Sequence, residues 1–209
     1  MTIILEVMGV CQIMPTEMNF MSQEKAWLGG FIDGEGCFSL MTYVDKRKNG
    51  EWLNRRPTFQ ISQCRKNAIG IKKTSDILRE LGINHQRYTN KKTKVKEVRV
   101  ANFNVKKMIE VLLPHLIVKK QVAEHTLKFW DFGRKIIKTQ NQYMKFAVLN
   151  VDVEQIEEFA SWMDGFRELN DTKANHVWTG KKVLEFYREQ IRVENNKNSK
   201  INLNWKCKK

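Results

Sequence analysis

Cysteine and histidine are few in this chain, and neither is clustered. There are four of each, at Cys11, Cys37, Cys64 and Cys207 and at His85, His115, His125 and His176. Because no two cysteines form a CxxC pair, the sequence indicates neither a zinc ribbon nor a disulfide framework. The scattered histidines likewise exclude the His-rich patterns of metal nucleases. This composition fits a reducing compartment.

Long apolar segments and an early basic region are also absent from the sequence. The longest apolar run, 2–11, contains Glu6 and falls short of the roughly 20 residues that span a membrane, so no membrane partner is expected. The first lysine or arginine is Lys25, which argues against a secretory signal and against an Arg-rich transit peptide. If the protein works in an organelle, we therefore expect it to be made there.

Acidic residues are outnumbered by basic ones. The 209 residues include 37 lysines and arginines against 23 aspartates and glutamates, which gives a net charge of +14. A basic balance of this size favours a polyanionic partner. The alternative at this point is a basic soluble protein that has no such partner.

The nine residues Leu28–Gly36, which read LGGFIDGEG, combine features that are unfavourable in a helix. Gly29 and Gly30 interrupt an apolar helical run, where each costs about 1 kcal/mol relative to alanine. Close approach of another backbone would compensate for this cost. Asp33 and Glu35 then place carboxylates at the C-terminal end of the helix, where the helix dipole disfavours negative charge and a cation is expected nearby.

The hydrophobic pattern predicts this helix, two hairpins and several further helices. The predicted helices are 22–34, capped by Ser22, then 67–81, 105–113, 119–138, 152–169 and 179–190, and the predicted strands are 38–45, 52–63, 83–89 and 94–102. The order αββαββ followed by helices indicates an α+β fold. We assign 1–21 to a leader, 22–192 to a single domain, 139–150 within it to a connector, and 193–209 to a basic polar tail.

The two hairpins present a polar face with the donors and acceptors that can read base edges. The residues predicted to point outward are Ser39, Met41, Tyr43 and Asp45 on the first strand, Asn54, Arg56, Thr58, Gln60 and Ser62 on the second, His85, Arg87 and Thr89 on the third, and Glu97 and Arg99 on the fourth. The turns add Lys46, Lys48, Lys91 and Lys92, which suit phosphate contacts. Together with the net charge, this face predicts binding of duplex DNA, and an ordinary solvated sheet face is the alternative.

The motif occurs once in the chain, and this affects the predicted chemistry. Glu35 would lie where the sheet meets a phosphate backbone, but one carboxylate is a poor catalyst of phosphodiester hydrolysis. Mg²⁺ is usually held by one or two carboxylates together with substrate phosphates, and two ions can stabilise the attacking and leaving oxygens. A second Glu35 would come from a second copy of the chain, packed across a twofold axis on a long, roughly palindromic site. The predicted interface consists of Trp27, Gly29, Gly30, Ile32 and Asp33.

The motif resembles the signature of the LAGLIDADG homing endonucleases. Five residues match it identically, namely Leu28, Gly30, Ile32, Asp33 and Gly36, and Glu35 replaces its last aspartate. Over about 22–190 the chain resembles the single-motif, homodimeric members that are encoded by organellar group I introns. Later segments that look alike are Phe59–Gln63, Leu113–Leu116 and Leu169–Lys173. The fold implied is an αββαββ core with a curved antiparallel DNA-binding sheet.

The resemblance also implies an activity and a set of site residues. The activity is Mg²⁺-dependent, site-specific cleavage of both DNA strands, which starts intron homing in a chloroplast or mitochondrion. Glu35 and Gly34 would hold the Mg²⁺, and Mn²⁺ or Ca²⁺ could occupy the site in vitro. Gln63 and Lys119 would neighbour the attacking water and the scissile phosphate, with Lys66 as a nearby basic residue. Asp33 would hold the helix end rather than bind metal.

Two other functions are open at this point. Members of this family sometimes assist splicing, so the chain could be an RNA maturase that binds its own intron RNA. It could also be a repressor that binds DNA through the same strands without cutting it. The carboxylate of Glu35 argues against a role without catalysis.

Overall fold

The computed structural model describes residues 17–47, 50–64, 68–136, 144–146, 153–170 and 178–192. The helices are α1 (Glu17–Glu35), α2 (Ile69–Glu80), α3 (Phe103–Leu112), α4 (Lys120–Ile136), α5 (Val153–Leu169) and α6 (180–192), and a 3-10 helix, Leu113–His115, follows α3. The strands are β1 (Gly36–Arg47), β2 (Gly50–Gln63), β3 (Gln86–Thr89), β4 (Lys96–Ala101) and β5 (Met144–Phe146). This order confirms the predicted α+β fold.

The clearest differences from the sequence prediction are at the start of α1 and in the connector. α1 already includes residues 17–21, which the sequence assigns to a leader, so Ser22 lies inside the helix and does not cap it. β5 lies within the predicted connector, 139–150. β5 has only three residues, and alternation over so short a segment gives no recognisable strand pattern.

The strands form one antiparallel sheet in the order β1-β2-β4-β3. β1 and β2 pair along their whole length, from Gly36 opposite Ile61 to Arg47 opposite Gly50. β4 pairs with the second half of β2, and β5 pairs with its first half near Leu53. The long strand β2 therefore connects every part of the sheet except the edge strand β3.

The hydrophobic core lies between one face of the sheet and the helices. Alternate residues of β1, β2 and β4 point into it and are fully or almost fully buried, including Phe38, Phe59, Ile61, Val98 and Val100. Leu28 and Ile32 of α1 are fully buried against the same face. The residues between them on each strand point the other way, which leaves a polar face outside the core.

Aromatic side chains join α4 to α5. Phe129 contacts Phe159 and Phe166, with ring centroids 5.8 and 6.0 Å apart. His125 packs between Phe166 and Trp162, and its Nε2 donates to the carbonyl oxygen of Trp162 at 3.1 Å. Burial lowers the pKa of His125, so this packing favours the neutral ring.

In the described ranges, no helix has the length and apolar character of a membrane span.

Candidate functional site

The end of α1 and the start of β1 meet without a loop. Glu35 is the last residue of α1, and Gly36 is the first residue of β1. A Cβ on Gly36 would lie 2.7 Å from the carbonyl oxygen of Ile32 and 2.8 Å from a ring carbon of Phe59, so only glycine fits this junction. The direct connection leaves Glu35 exposed at the end of the sheet where β2 also ends.

Asp33 fixes the loop that precedes α4 to the end of α1. Its Oδ2 accepts a hydrogen bond from the backbone N–H of Ile117 at 2.7 Å, and its Oδ1 accepts one from the N–H of Lys119 at 2.8 Å. Such bonds to a carboxylate are strong, and they offset the unfavourable position of this anion at a helix C-terminus. The geometry agrees with the predicted role of Asp33 in holding the helix end. Both carboxylate oxygens of Asp33 accept from backbone amides of this loop.

The fold brings the three predicted catalytic residues to this same end. Gln63 ends β2, two residues beyond the partner of Gly36, and Lys119 is anchored by Asp33. The Oε1 of Gln63 is buried and has no hydrogen-bond partner among the described residues. A buried acceptor of this kind is costly unless it binds water or a ligand.

The donor chemistry at this end fits Mg²⁺. Glu35 offers an exposed carboxylate, and Gly34 is exposed beside it. Mg²⁺ prefers oxygen ligands, keeps several waters and completes its shell with substrate phosphates. Among the described residues, no group of three or more acidic, histidine or cysteine side chains could bind a metal ion. Among the described residues at the end of α1, a single subunit therefore contributes one exposed carboxylate, that of Glu35.

The outward face of β1 and β2 agrees with the prediction. Met41 and Tyr43 are exposed, and the alternate residues of β2 from Arg56 to Ser62 are half-buried. Two cross-strand contacts order this face: the hydroxyls of Ser39 and Thr58 lie 2.8 Å apart, and Arg56 donates from Nη2 to the sulfur of Met41 at 3.0 Å. An open cavity of about 990 Å³ is lined by residues of β1 to β4, including Ser39, Arg56, Gln60, Gln86 and Arg99, and also by residues of α3 and α5.

The predicted outward row of β3 is wrong. Residues directly opposite each other in an antiparallel pair share a face. Arg87 lies opposite the core residue Val98, and Thr89 lies opposite Lys96. The residues that share the outward face are Gln86, opposite Arg99, and Tyr88, opposite Glu97. All four residues of β3 are exposed, so no buried side chain shows which residues of β3 face the core side of the sheet.

His85 lines the open cavity and Glu97 lies on the outward face, but both side chains already have a partner within the chain. His85 precedes β3, and its Nε2 lies 2.7 Å from the hydroxyl of Ser75 on α2, so it packs against a helix. Glu97 is on the outward face, but only 8% of it is exposed. The Oε2 of its carboxylate accepts hydrogen bonds from Arg99, so this oxygen is already engaged within the chain.

The predicted phosphate contacts are only partly described. Lys91 and Lys92 are exposed in the β3–β4 turn, where the Oδ1 of Asn90 accepts from the N–H of Lys92 at 2.9 Å. The side chains predicted to contact DNA that lie outside the described residues are those of Asp45, Lys46, Lys48, Asn54 and Lys66.

Two positions of the predicted dimer interface, Gly29 and Ile32, are buried within the chain, and a third, Trp27, is half-buried. Gly29 is buried against the chain itself, since a Cβ there would contact the carbonyl oxygen of His115 and lie 2.7 Å from the His115 Cβ. Ile32 is fully buried in the core, and Trp27 packs beneath Lys73 of α2, whose Nζ is 4.4 Å from the ring centroid. Successive residues of an α-helix are rotated by about 100°, so the side chains of adjacent residues point to different faces of α1 and cannot all lie in one interface.

Gly30 lies on the solvent-exposed side of α1. No described atom lies within 4 Å of the positions that a Cβ on Gly30 or Gly34 would occupy. With Ser22 and Ala26, which are also exposed, these glycines form a row of small residues at four-residue spacing. We call this row the small-residue face of α1.

Solved structures of DNA-bound homing endonucleases share this fold. I-CvuI in complex with its target in the presence of Ca gives a TM-score of 0.60 at 20% identity, covering 81% of this chain and 96% of that chain. I-CeuI complexed with DNA gives 0.56 at 13% identity, covering 79% and 76%. I-GzeII in complex with its DNA target gives 0.51 at 19% identity, covering 78% and 48%. The fold is that of the LAGLIDADG homing endonucleases.

The sequence supports a closer assignment. The LAGLIDADG endonuclease family model matches residues 28–137, which is more than half of the chain. These residues include the LGGFIDGEG motif, both hairpins, Gln63 and Lys119. The chain belongs to the LAGLIDADG endonuclease family. No curated protein sequence matches it significantly.

Proposed function

We propose that this chain is a homodimeric, Mg²⁺-dependent endonuclease that cuts both strands of a long, near-palindromic DNA site in intron homing. The observation that carries the proposal is the exposure of Glu35 at the junction where α1 ends and β1 begins, at one end of the sheet. A carboxylate at this junction would meet a phosphate of a duplex bound to the polar face of the sheet. Family membership supports cleavage, and the DNA-bound structures of I-CvuI and I-CeuI support a duplex substrate. An organellar origin stays a prediction from the resemblance.

Each residue at this end has a separate chemical task in the proposal. A bound Mg²⁺ would supply a Lewis acid and lower the pKa of bound water. Glu35 would hold the ion, and the buried Oε1 of Gln63 would accept a hydrogen bond from the attacking water. Lys119, fixed through the backbone bond to Asp33, would place its ammonium group near the scissile phosphate. The arrangement would therefore orient the water and stabilise negative charge on the phosphate.

The small-residue face of α1 supports a homodimer. Two helices with small residues at the contact can approach closely, and a twofold axis through Gly30 would bring the two Glu35 side chains together. Each subunit would then contribute one exposed carboxylate and one half of the DNA-binding face. This arrangement assigns the predicted dimer contact to Gly30 rather than to Gly29.

Replacement of Gly30 by glutamine is expected to convert the dimer to a monomer without unfolding it. Glutamine favours helix, and the described part of the chain leaves space at Gly30, but the longer side chain would separate two packed helices. Sedimentation equilibrium should show loss of association, and cleavage should fall with it. Ser161→Gln, at an exposed position of α5, is the control. A Gly30→Gln dimer as stable as the wild type would place the interface elsewhere.

Incubation with long randomised duplexes and Mg²⁺ tests the activity itself. Double-strand cuts are expected within one family of near-palindromic sequences, and EDTA should abolish them because the reaction needs the metal. Sequencing of the cut ends measures both results. Sequence-specific binding without cuts would favour the repressor alternative, and binding of intron RNA without DNA cleavage would favour the maturase. Either result would overturn the proposed activity.

A further inference from the structure

Arg99 occupies the middle of the outward face on β4. Gln60 of β2 lies directly opposite it on one side, and Gln86 of β3 lies directly opposite it on the other. The Arg99 side chain is 45% exposed, and all three residues contribute to the lining of the open cavity. A duplex bound to this face would therefore meet Arg99 together with two amide side chains.

Glu97 holds one edge of the Arg99 guanidinium. The Oε2 of Glu97 accepts from Nε of Arg99 at 2.8 Å and from Nη2 at 2.6 Å. The Glu97 side chain is only 10% exposed, so the pair is anchored within the sheet surface. Since a guanidinium carries five N–H donors in a planar fork, three donors on Nη1 and Nη2 are left for another partner.

Tyr88 restrains the same guanidinium from β3. The Cζ of Arg99 lies 5.3 Å from the centroid of the Tyr88 ring, within the range of a cation–π contact. Two neighbours on two strands therefore limit the rotamers of a side chain that is otherwise flexible. Arg56 is less restrained, because its donors contact the sulfur of Met41, a weak acceptor.

The charge of this cluster favours a base contact over a phosphate contact. A phosphate attracts an uncompensated cation, whereas the positive charge of Arg99 is balanced by Glu97. The terminal fork keeps its directional donors, and such a fork matches the O6 and N7 acceptors of guanine in the major groove. A rigid, charge-balanced fork gains little from a phosphate and more from a correctly placed base.

We propose that Arg99 reads a guanine in each half of the DNA site and that Glu97 and Tyr88 are positioning residues for it. This proposal rests on the proposed DNA-binding function. It replaces the earlier prediction that Glu97 contacts DNA directly, and it names one base that the enzyme should require.

Selection of bound sequences from randomised duplexes, without divalent metal, tests this assignment. The wild type should show one strongly preferred G·C pair at matching positions of the two half-sites. Arg99→Gln should lose roughly 10- to 100-fold of that preference and keep the preferences elsewhere. Arg87→Gln is the matched control, since Arg87 is exposed on the adjacent strand but shares a face with the core residue Val98. It should leave every base preference unchanged.

Two further variants separate reading from positioning. Glu97→Gln should weaken the guanine preference at the same position without creating another, because the amide oxygen can still accept from Arg99. Arg99→Lys keeps the ion pair with Glu97 but loses the planar fork, so it should weaken the same preference even if Arg99→Gln fails to fold.

Distinct results would overturn the assignment. A uniform loss of affinity in Arg99→Gln, without a change in base preference, would make Arg99 a phosphate contact. A changed preference at a second position in Glu97→Gln would make Glu97 a base contact itself. An unchanged consensus in both Arg99 variants would exclude Arg99 while leaving DNA recognition intact. A wild type that selects no sequence would instead overturn the proposed function.

Discussion

Glu35→Gln is expected to reduce DNA cleavage by roughly 10³-fold, the scale of losing one electrostatic contact to a transition state, while specific DNA binding persists. The amide keeps the size of the side chain but removes the charge that would hold Mg²⁺. Glu35 is exposed at the end of α1, so its replacement should change the free energy of unfolding by less than about 0.5 kcal/mol. Binding should persist because the residues proposed to contact the bases lie on the strands, away from Glu35.

The measurement pairs a cleavage assay with a gel-shift assay on one selected duplex. Glu35→Asp should retain cleavage, since it restores the residue that the family signature carries at this position. Glu80→Gln removes an exposed carboxylate from α2 and serves as the charge-matched control, with full cleavage expected. If Glu35→Gln cuts at the wild-type rate, the carboxylate at the end of α1 is not the metal ligand.

The motif and the first hairpin could be predicted from the sequence because each contains apolar residues that show which side faces the core. In β1 the buried Phe38 sets which side chains point inward, and alternation then assigns Ser39, Met41 and Tyr43 outward. The apolar run before Asp33 sets the helix in the same way. The position of Glu35 between the helix and the strand follows from these two periodicities, whereas its role as a metal ligand is implied by the resemblance to the family.

Which side chains of β3 point outward could not be predicted from the alternation of apolar and polar residues. β3 has four exposed residues, so its orientation depends on pairing with β4 rather than on its own composition. A shift of one residue exchanges the two faces of a strand. The sequence therefore predicts Arg87 and Thr89 on the outward face, where the structure has Gln86 and Tyr88. Of the two residues that restrain Arg99, Glu97 is visible from alternation in β4, whereas Tyr88 could be identified only from the cross-strand register.

Arg55 shows a second limit of the sequence. It lies on the core-facing side of β2 and is 1% exposed, with its guanidinium 2.9 Å from the ring centroid of Phe159 and 6.0 Å from that of Tyr187. Burial lowers the pKa of Arg55 to about 9, and Tyr187 opposes this shift. Arginine is rarely buried without compensating partners, and these partners come from helices more than 100 residues away. Local alternation could not reveal them.

Gly29 and Gly30 are adjacent and look equivalent in the sequence, yet their substitution is expected to have opposite effects. Gly29→Ala should destabilise the fold by about 1–3 kcal/mol, the range for overpacking a close contact. The new Cβ would meet the His115 backbone, with the carbonyl carbon at 2.9 Å, and a backbone cannot rotate away as a side chain can. Gly30→Ala meets no described atom and should stabilise the isolated subunit by up to about 1 kcal/mol through helix propensity.

Chemical denaturation over a range of protein concentrations measures this difference, because the concentration dependence separates subunit stability from association. The consequence of Gly29→Ala should extend to catalysis. His115 ends the 3-10 helix that leads into the loop held by Asp33, and Lys119 lies in that loop. Displacing the 3-10 helix should therefore move Lys119 and lower cleavage even at temperatures where the variant is folded. Equal stabilities of the two alanine variants would show that the contact with His115 is not tight. In that case, the cost of Gly29 in the helix would again require another subunit to explain it.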